Sequence, residues 1–337
     1  AAIKMAIQYH AGLGAPQRTV ILTRSISYHG TTITTAAASG HPERKKGLEG
    51  ILATYPQIQT PYPLRCPVGT DDALATQYYL DDLEQTIETI GADNIAALIA
   101  EPLNGSSGGA IAPPAGYWDG VQLILKQHGI LLIMDEVMTG FGRTGLKFGS
   151  DHYGIKPDLL VAGKGLAGGY APIAGVFGTD AVAEAIAAGG FSVMFHTFGA
   201  LPQACAAATS VLQILRRDDL IERAKTKGNQ LKAALIERLS QHPRVAEIRG
   251  TGLLIAVEVV ADRETLTPFD QSLRVTDQII GHGMSQGVFF YPGGTGEIRD
   301  IICMGPAFII DDDDIQLTVD ALSYALDALV DLENPAT

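Results

Sequence analysis

Five consecutive apolar residues, 130–134, follow Gly129 and end in two carboxylates, Asp135 and Glu136. They show no alternation between apolar and polar side chains, which is typical of a strand buried on both faces of a sheet. Such strands occur in α/β proteins, and ligands there bind outside the carboxyl ends of the strands. The sequence therefore predicts an α/β fold with Asp135 at the edge of a binding crevice.

A second apolar run, 159–163, ends in Lys164. A lysine at the end of a buried strand is costly unless its charge is paired or its pKa is lowered, and a neutral amine is a nucleophile. The spacing between Asp135 and Lys164 leaves room for one crossover between parallel strands, so both side chains are expected at one crevice. For either residue alone the alternative is structural: a helix cap or ion pair for Asp135, and a surface position in a glycine-rich loop for Lys164.

The composition limits the partners that the chain could have. Its 337 residues can bury a large core, as two domains or as one large domain with an appendage. The net charge of −13 argues against nucleic acid and anionic membranes as partners, and no run of 18 apolar residues could span a membrane.

Cysteine and histidine usage, together with the first residues, predicts the compartment. Cys66, Cys205 and Cys303 form neither a disulfide framework nor a metal motif, and no histidine spacing suggests zinc. Residues 1–6 lack the layout of a signal peptide. The expected location is the cytoplasm, and no metal is expected.

Several short motifs carry a resemblance to a known enzyme family. In chain order they are Tyr28-His29-Gly30, Glu101-Pro102, Asp135-Glu136-Val137, Gly140-Phe141-Gly142-Arg143-Thr144-Gly145, Lys164-Gly165, His196-Thr197-Phe198, Arg249-Gly250-Thr251-Gly252 and Gly305-Pro306. The ordered set, which extends over essentially the whole chain, resembles the class III aminotransferases, which are pyridoxal-phosphate (PLP) enzymes of fold type I. The resemblance implies a large α/β/α domain with a mostly parallel central sheet at 1–217 and a smaller C-terminal α+β domain at 218–337. In the smaller domain the sequence predicts strands at 244–248, 253–260, 288–291 and 301–304.

By this resemblance, Lys164 and Asp135 are the catalytic residues. Lys164 would form a Schiff base with PLP and then move the proton between substrate and cofactor. Asp135 would bind the pyridine nitrogen and keep it protonated, so that the ring stabilises the carbanion formed from the substrate. Tyr28 and Val137 would pack on opposite faces of the ring, and His29 is a further cofactor-binding residue.

The resemblance also implies the reaction and the assembly. The reaction would move an amino group between a small-molecule amine or ω-amino acid and a 2-oxo acid such as pyruvate. The enzyme would be a homodimer in which Thr197 binds the phosphate of the other subunit's cofactor. Alternatives are another PLP enzyme of this type (an aminomutase, racemase or decarboxylase) and a catalytically silent fragment.

Glu101 and Arg299 are the candidate substrate-binding residues. Glu101 follows an apolar strand, and in the family a glutamate near the active site can pair with an arginine and gate substrates; a structural salt bridge is the alternative. Arg299 is the arginine nearest to the position at which relatives bind a substrate carboxylate.

The first residues of the chain bear on how much of the family's site is present. Residues 1–9 have helical spacing with no capping residue ahead of them. Family members carry a phosphate-binding loop and a pocket-shaping segment before the corresponding helix. Relative to the family, the chain is therefore expected to be truncated at its N-terminus.

Residues 140–145 also match G-x-G-x-x-G, the fingerprint of dinucleotide-binding folds. The glycines begin five residues after Asp135, however, and no amphipathic helix follows to present its N-terminus to a pyrophosphate. A nicotinamide site is therefore not expected there.

A long excursion, 41–80, is rich in proline and basic side chains. Surface loops of this length are often functional. Its basic cluster, Arg44-Lys45-Lys46, is interpreted as solvated surface.

Overall fold

The computed structural model describes residues 1–192, 196–296 and 298–334. The first sheet contains β1 (Val20–Arg24), β2 (Gln57–Ile58), β3 (Ile95–Ala100), β4 (Leu131–Asp135), β5 (Leu159–Ala162) and β6 (Gly175–Gly178). The order in the sheet is β2-β1-β3-β4-β5-β6, and the strands are parallel except for β6, which pairs antiparallel with β5. This confirms the predicted α/β fold with a mostly parallel central sheet.

The second sheet is antiparallel and lies later in the chain. It contains β7 (Val245–Thr251), β8 (Leu254–Val259), β9 (Tyr291–Thr295) and β10 (Ile298–Met304), in the order β7-β8-β10-β9. The helices are α1 (Ala2–Gly12), α2 (Ile33–Ala38), α3 (Asp72–Ile90), α4 (Tyr117–Gln127), α5 (Asp180–Ala188), α6 (Pro202–Arg217), α7 (Leu220–Leu239), α8 (Val275–Ser285) and α9 (Asp312–Asp327). Within the described ranges, none of them combines the length and the apolar character needed to span a lipid bilayer.

Strand β4 is buried on both faces of the first sheet. All of its residues are buried. Ile133 belongs to the core that includes residues of α1 and α5, whereas Leu132 belongs to the core that includes residues of α3 and α4. Burial of a large apolar side chain contributes about 1.5–3 kcal/mol, so packing on both faces fixes the strand and the point at which Asp135 ends it.

Arg249, on β7, connects the second sheet to loops of the first. Its side chain is 7% exposed and donates to Glu258 of β8 (2.7 Å), to the hydroxyl of Tyr62 (2.8 Å) and to the carbonyls of Gly108 (2.7 Å) and Gly109 (2.6 Å). Removing one member of a buried ion pair typically costs about 3–5 kcal/mol, because the other charge stays buried without a partner. This cluster therefore holds the two sheets in one arrangement.

The glycine-rich loop 140–145 makes a second connection between the sheets. The amide of Leu253, in the turn between β7 and β8, donates to the carbonyl of Arg143 (2.9 Å), and the guanidinium of Arg143 donates to the carbonyls of Leu253 (3.1 Å) and Pro306 (2.6 Å). A Cβ atom on Gly252 would lie 2.3 Å from the carbonyl carbon of Thr144. The loop thus packs backbone against backbone on the turn between β7 and β8, and Gly252 of that turn allows the close approach.

The strand predicted at 288–291 is wrong in position, because β9 begins at Tyr291 and ends at Thr295. A Cβ atom on Gly293 would lie 2.4 Å from Sγ of Cys303 on β10. Glycine at 293 therefore leaves room for the Cys303 side chain, and a Cβ atom on Gly294 would overlap the carbonyl oxygen of Ile298 on β10. Both glycines lie within a strand, although glycines in a sequence usually indicate a turn.

The boundary near residue 217 coincides with a break between two helices. Helix α6 ends at Arg217 and α7 begins at Leu220. Helix α7 packs against α9 and β7, which belong with the second sheet. Whether 1–217 and 218–337 are separate folding domains stays a prediction.

We expect Gly252→Ala to lower the free energy of unfolding by about 3 kcal/mol or more, because backbone strain and a steric clash combine. Gly252 has φ +57°, and its new Cβ would meet the backbone of Thr144. The control is Gly287→Ala, where φ is +82° and no atom lies within 4 Å, so only backbone strain of about 1–2 kcal/mol is expected. Urea denaturation of both variants measures the difference; equal losses would contradict the close approach.

Candidate active site

Asp135 ends β4 as a buried carboxylate with two partners. It is 6% exposed. The backbone amide of Val137 donates to Oδ1 (3.0 Å), and Nδ1 of His29 lies 2.9 Å from Oδ2. Since an ionised carboxylate only accepts hydrogen bonds, Nδ1 of His29 carries the proton in this contact. These two contacts set the orientation of the carboxylate.

His29 reaches Asp135 from the segment after β1. Its side chain is fully buried, and its backbone amide donates to Oγ of Ser39 (2.8 Å). The other ring nitrogen, Nε2, is buried without a hydrogen-bond partner in the described structure. The imidazole therefore has one polar contact, and that contact is to Asp135.

Lys164 follows β5, the strand that pairs with β4 in the sheet. It begins the short 3-10 helix Lys164–Leu166 with φ +39°, a conformation that is rare outside glycine and is often found at functional sites. Lys164 is exposed to solvent, and the partial burial of its amine lowers the pKa below its usual value, while the negative charges of Asp135 and Glu101 act in the opposite direction. A larger share of neutral amine is the consequence.

Lys164 lines a cavity of about 650 Å³ between the two sheets. Tyr28 and Glu101 line the same cavity, and Met138 lies in its wall with Sδ 2.7 Å from Nζ of Lys164. Further lining residues come from the second sheet and from the segments next to it: Leu254, Phe289, Tyr291, Cys303 and Pro306. A cavity of this size, largely apolar with few polar groups, is typical of a small-molecule site.

Glu101 follows β3 and is 5% exposed. Its carboxylate accepts hydrogen bonds from Nδ2 of Asn104 (3.0 Å) and from the amide of Gly105 (3.2 Å). Burial raises the pKa of the Glu101 carboxyl to about 7; the neighbouring His29 and Arg24 oppose this rise, and the negative charge of Asp135 adds to it.

The Glu101 carboxylate does not pair with an arginine in the described structure, although the family resemblance implies such a pair. Arg24 donates to the backbone carbonyl of Glu101 (3.0 Å) and not to the carboxylate. Among the described residues, no arginine forms an ion pair with the Glu101 carboxylate. A role of Glu101 in substrate binding stays a prediction.

Glu136, next to Asp135, has a structural position. It is fully buried, and its carboxylate accepts from the amides of Gly149 (2.9 Å) and Ser150 (2.8 Å) and from the hydroxyl of Thr139. These bonds hold the loop that carries Val137 and Met138.

The structure brings most of the predicted residues to one region. Tyr28, Glu101 and Lys164 line the cavity, whereas His29 and Asp135 adjoin it at the strand ends without lining it. Val137 follows Asp135, and its Cγ1 would lie 3.9 Å from a Cβ atom on Gly163, the residue before Lys164.

Thr197 and Arg299 lie elsewhere. Thr197 is exposed and belongs to a separate surface depression with Pro172 and Ala204. The guanidinium of Arg299 donates to the carbonyl of Phe269. Neither residue lines the cavity that contains Lys164.

Sequence reasoning missed several residues of the cavity wall, among them two polar ones. Arg44, which was interpreted as solvated surface, is exposed and also lines the cavity. Ser106 lines it as well. No local pattern indicates either position, because the chain returns to the cavity only through tertiary packing. No group of three or more histidine, cysteine or acidic side chains suited to a metal ion occurs in the part of the chain that the structure describes.

Comparison with known proteins identifies relatives over nearly the whole chain. A family model described as aminotransferase class-III matches residues 1–326. The chain is 36% identical over 332 residues to the uncharacterized aminotransferase YodT of Bacillus subtilis (strain 168), covering 97% of this chain and 74% of that protein. It is 33% identical over 329 residues to a putrescine–pyruvate aminotransferase of Pseudomonas aeruginosa, covering 96% of this chain and 70% of that protein.

A solved structure shows the same fold. The thermostable (S)-enantioselective omega-transaminase from Thermomicrobium roseum matches with a TM-score of 0.91 at 35% identity, covering 98% of this chain and 72% of that chain. At this identity and coverage the similarity extends over both sheets.

We expect Glu101→Gln to change how stability depends on pH. The pKa of Glu101 is raised from an ordinary 4.5 to about 7, so the folded chain holds a proton that the unfolded chain releases between these values. The contribution of Glu101 to the free energy of unfolding is therefore fully present below about pH 4 and is lost as the pH rises to about 7. The expected loss is roughly 3 kcal/mol. Glutamine does not titrate, so the variant should lose less stability over this window.

Urea midpoints at pH 5 and pH 8 measure the effect. Glu49→Gln, at an exposed site, is the matched control and should behave as the wild type. An unchanged pH dependence in Glu101→Gln would contradict the raised pKa.

Proposed function

The chain belongs to the class III aminotransferases, and from that premise we propose that it moves an amino group between an amine or ω-amino acid and a 2-oxo acid such as pyruvate. It is a PLP-dependent aminotransferase of fold type I. A putrescine–pyruvate aminotransferase among its relatives supports the proposed substrate classes. The relatives give no support to the alternatives of an aminomutase, racemase, decarboxylase or silent fragment.

One observation carries the assignment of the site. A lysine amine with a lowered pKa and a buried carboxylate lie at the ends of two neighbouring strands, beside one cavity. Lys164 lines the cavity, and the negative charge of Asp135 influences the pKa of its amine. The cavity volume of about 650 Å³ suits a small cofactor with its substrate. These residues fit PLP. When bound, PLP supplies an electrophilic aldehyde carbon and a ring that stabilises negative charge.

We assign two functions to Lys164. Its Nζ binds the cofactor, because a neutral amine in a partly desolvated site is nucleophilic. The same Nζ then holds and moves the proton that leaves the carbon bearing the substrate's amino group. The lowered pKa favours both functions, since each needs the unprotonated amine.

Asp135 is assigned to the ring nitrogen of the cofactor, with His29 as its positioning residue. The Nδ1 proton of His29 and the amide of Val137 occupy one lone pair on each carboxylate oxygen. A carboxylate offers about four such sites, so Asp135 can still accept a proton-bearing nitrogen. Its negative charge favours the protonated form of that nitrogen.

Tyr28 and Val137 are assigned to the two faces of the cofactor ring, and Glu101 to the substrate. Tyr28 and Glu101 line the cavity, which supports their assignments; Val137 does not line it and is assigned from its position after Asp135. Arg299 does not line it, so a contact between Arg299 and the substrate would require another conformation of its side chain.

We also propose a homodimer in which Thr197 binds the partner's cofactor phosphate. Large apolar side chains next to Thr197 in sequence are exposed in the single chain: Phe198 is 77% exposed and Leu201 40%. Exposed apolar groups of this size often mark a protein interface. A cytoplasmic location is part of the proposal, supported by the three free cysteines.

Lys164→Ala should abolish covalent retention of PLP. After PLP is added to the wild-type chain and reduced with borohydride, peptide mapping should find the label on Lys164. Lys156→Ala, at an exposed lysine, is the control and should be labelled as the wild type. Label on another lysine, or persistent labelling of Lys164→Ala, would refute the assignment.

Mixing Lys164→Ala with Thr197→Ala protomers tests the proposed sharing of the site. If Thr197 acts on the partner's cofactor, the hybrid dimer contains one intact site, since Lys164 of one protomer meets Thr197 of the other. Aminotransferase activity should then recover to about half the wild-type value per hybrid dimer. No recovery, with hybrid formation confirmed by native mass spectrometry, would show that Thr197 does not act across an interface.

A further inference from the structure

Arg44 ends a short 3-10 helix, Pro42–Arg44, that is fastened to the second sheet. The Glu43 carboxylate accepts from the amide of Gly296 (2.8 Å) and from the hydroxyl of Thr295. His41 lies 3.1 Å from the same carboxylate. These contacts place the backbone of Arg44 at the cavity and hold the Glu43 carboxylate against the second sheet.

The guanidinium of Arg44 has no carboxylate partner among the described residues. Its Nε donates to Nε2 of His41 at 3.4 Å, which leaves both terminal nitrogens without an acceptor in the part of the chain that the structure describes. The group lies 4.9 Å from the centroid of the Tyr28 ring. Stacking on an aromatic face orients a guanidinium and leaves its hydrogen-bond donors free at the edge.

Besides Arg44, the lining residues that can carry a positive charge are Lys164, which is assigned to the cofactor, and His41, whose pKa is lowered by burial. Met138, Leu254, Phe289 and Pro306 present apolar groups, and Glu101 is acidic. An anionic group in such a cavity needs a positive partner, because an unpaired charge that leaves water is strongly destabilised. Arg44 is the one arginine among the residues that line this cavity in the described structure.

We propose that Arg44 is a specificity-determining residue that binds a carboxylate or sulfonate on the substrate, at the end opposite the reacting amino group. This inference rests on the proposed aminotransferase function and specifies its substrate class as ω-amino acids. Arginine suits this group, since its planar donors match the two oxygens of a carboxylate. The cofactor phosphate presents similar oxygens, so the test must separate the two anions.

The test compares matched amino donors in the half-reaction with the PLP-loaded chain, without a 2-oxo acid. β-Alanine is paired with n-propylamine, and 4-aminobutyrate with n-butylamine, so that each pair differs by a carboxylate in place of a methyl group. Arg44→Gln should lower the rate constant for the carboxylated donors at low concentration roughly tenfold and leave the alkylamines within about twofold. Arg44→Lys, which keeps the charge but not the planar fork, should lie between.

Lys46→Gln is the control, because it removes one positive charge from the same excursion at an exposed position that does not line the cavity. Two binding measurements accompany the kinetics. Butyrate, a non-reactive carboxylate, should bind roughly tenfold more weakly to Arg44→Gln by calorimetry. The Kd for PLP, from equilibrium dialysis, should not change.

Other outcomes separate the possible errors. Weaker PLP binding in Arg44→Gln, with both donors of each pair affected equally, would assign Arg44 to the cofactor phosphate and overturn the proposal. Unchanged donor preference and unchanged butyrate binding would also overturn it. If the wild type accepts an amino group from neither donor of either pair, the proposed function fails, and butyrate binding still decides whether Arg44 binds carboxylates.

Discussion

The buried carboxylate of Asp135 is the constraint on which this site depends. A charge that is 6% exposed is tolerated only with hydrogen-bond donors around it, because the low-dielectric interior penalises an unpaired charge. His29 and the amide of Val137 supply those donors. The contact between His29 and Asp135 thus joins the segment after β1 to the end of β4. Lys164 follows the neighbouring strand β5, so the negative charge of Asp135 also acts on its amine.

The cavity exists because the two sheets are held in one arrangement. Arg249 forms hydrogen bonds with Glu258 of the second sheet and with a loop of the first. The glycine-rich loop 140–145 packs directly on the turn between β7 and β8, which contains Leu253. Both connections depend on close contacts with a defined geometry. They therefore keep a fixed distance between the two sides of the cavity, which the two sheets and their loops provide. The motif that matches a dinucleotide fingerprint therefore serves packing between sheets.

The parts of the fold that were predicted from sequence are those with local signals. Strands β3, β4 and β5 are short, apolar runs, and the convergence of Asp135 and Lys164 follows from the parallel pairing of neighbouring strands. Strand β9 was misplaced because its glycines, which usually indicate turns, allow close pairing with β10. Arg299 was selected by its position along the chain, yet its side chain donates to Phe269.

The sequence determined the chemistry available at the strand ends: which residues are acids, which is the lysine, and which runs are buried on both sides. Periodicity and motif order are properties of neighbouring residues, so they can be read along the chain. Only the tertiary structure decided which distant residues enter the cavity, as with Arg44 and Ser106. Their placement depends on contacts between segments far apart in sequence, and no local pattern records such contacts.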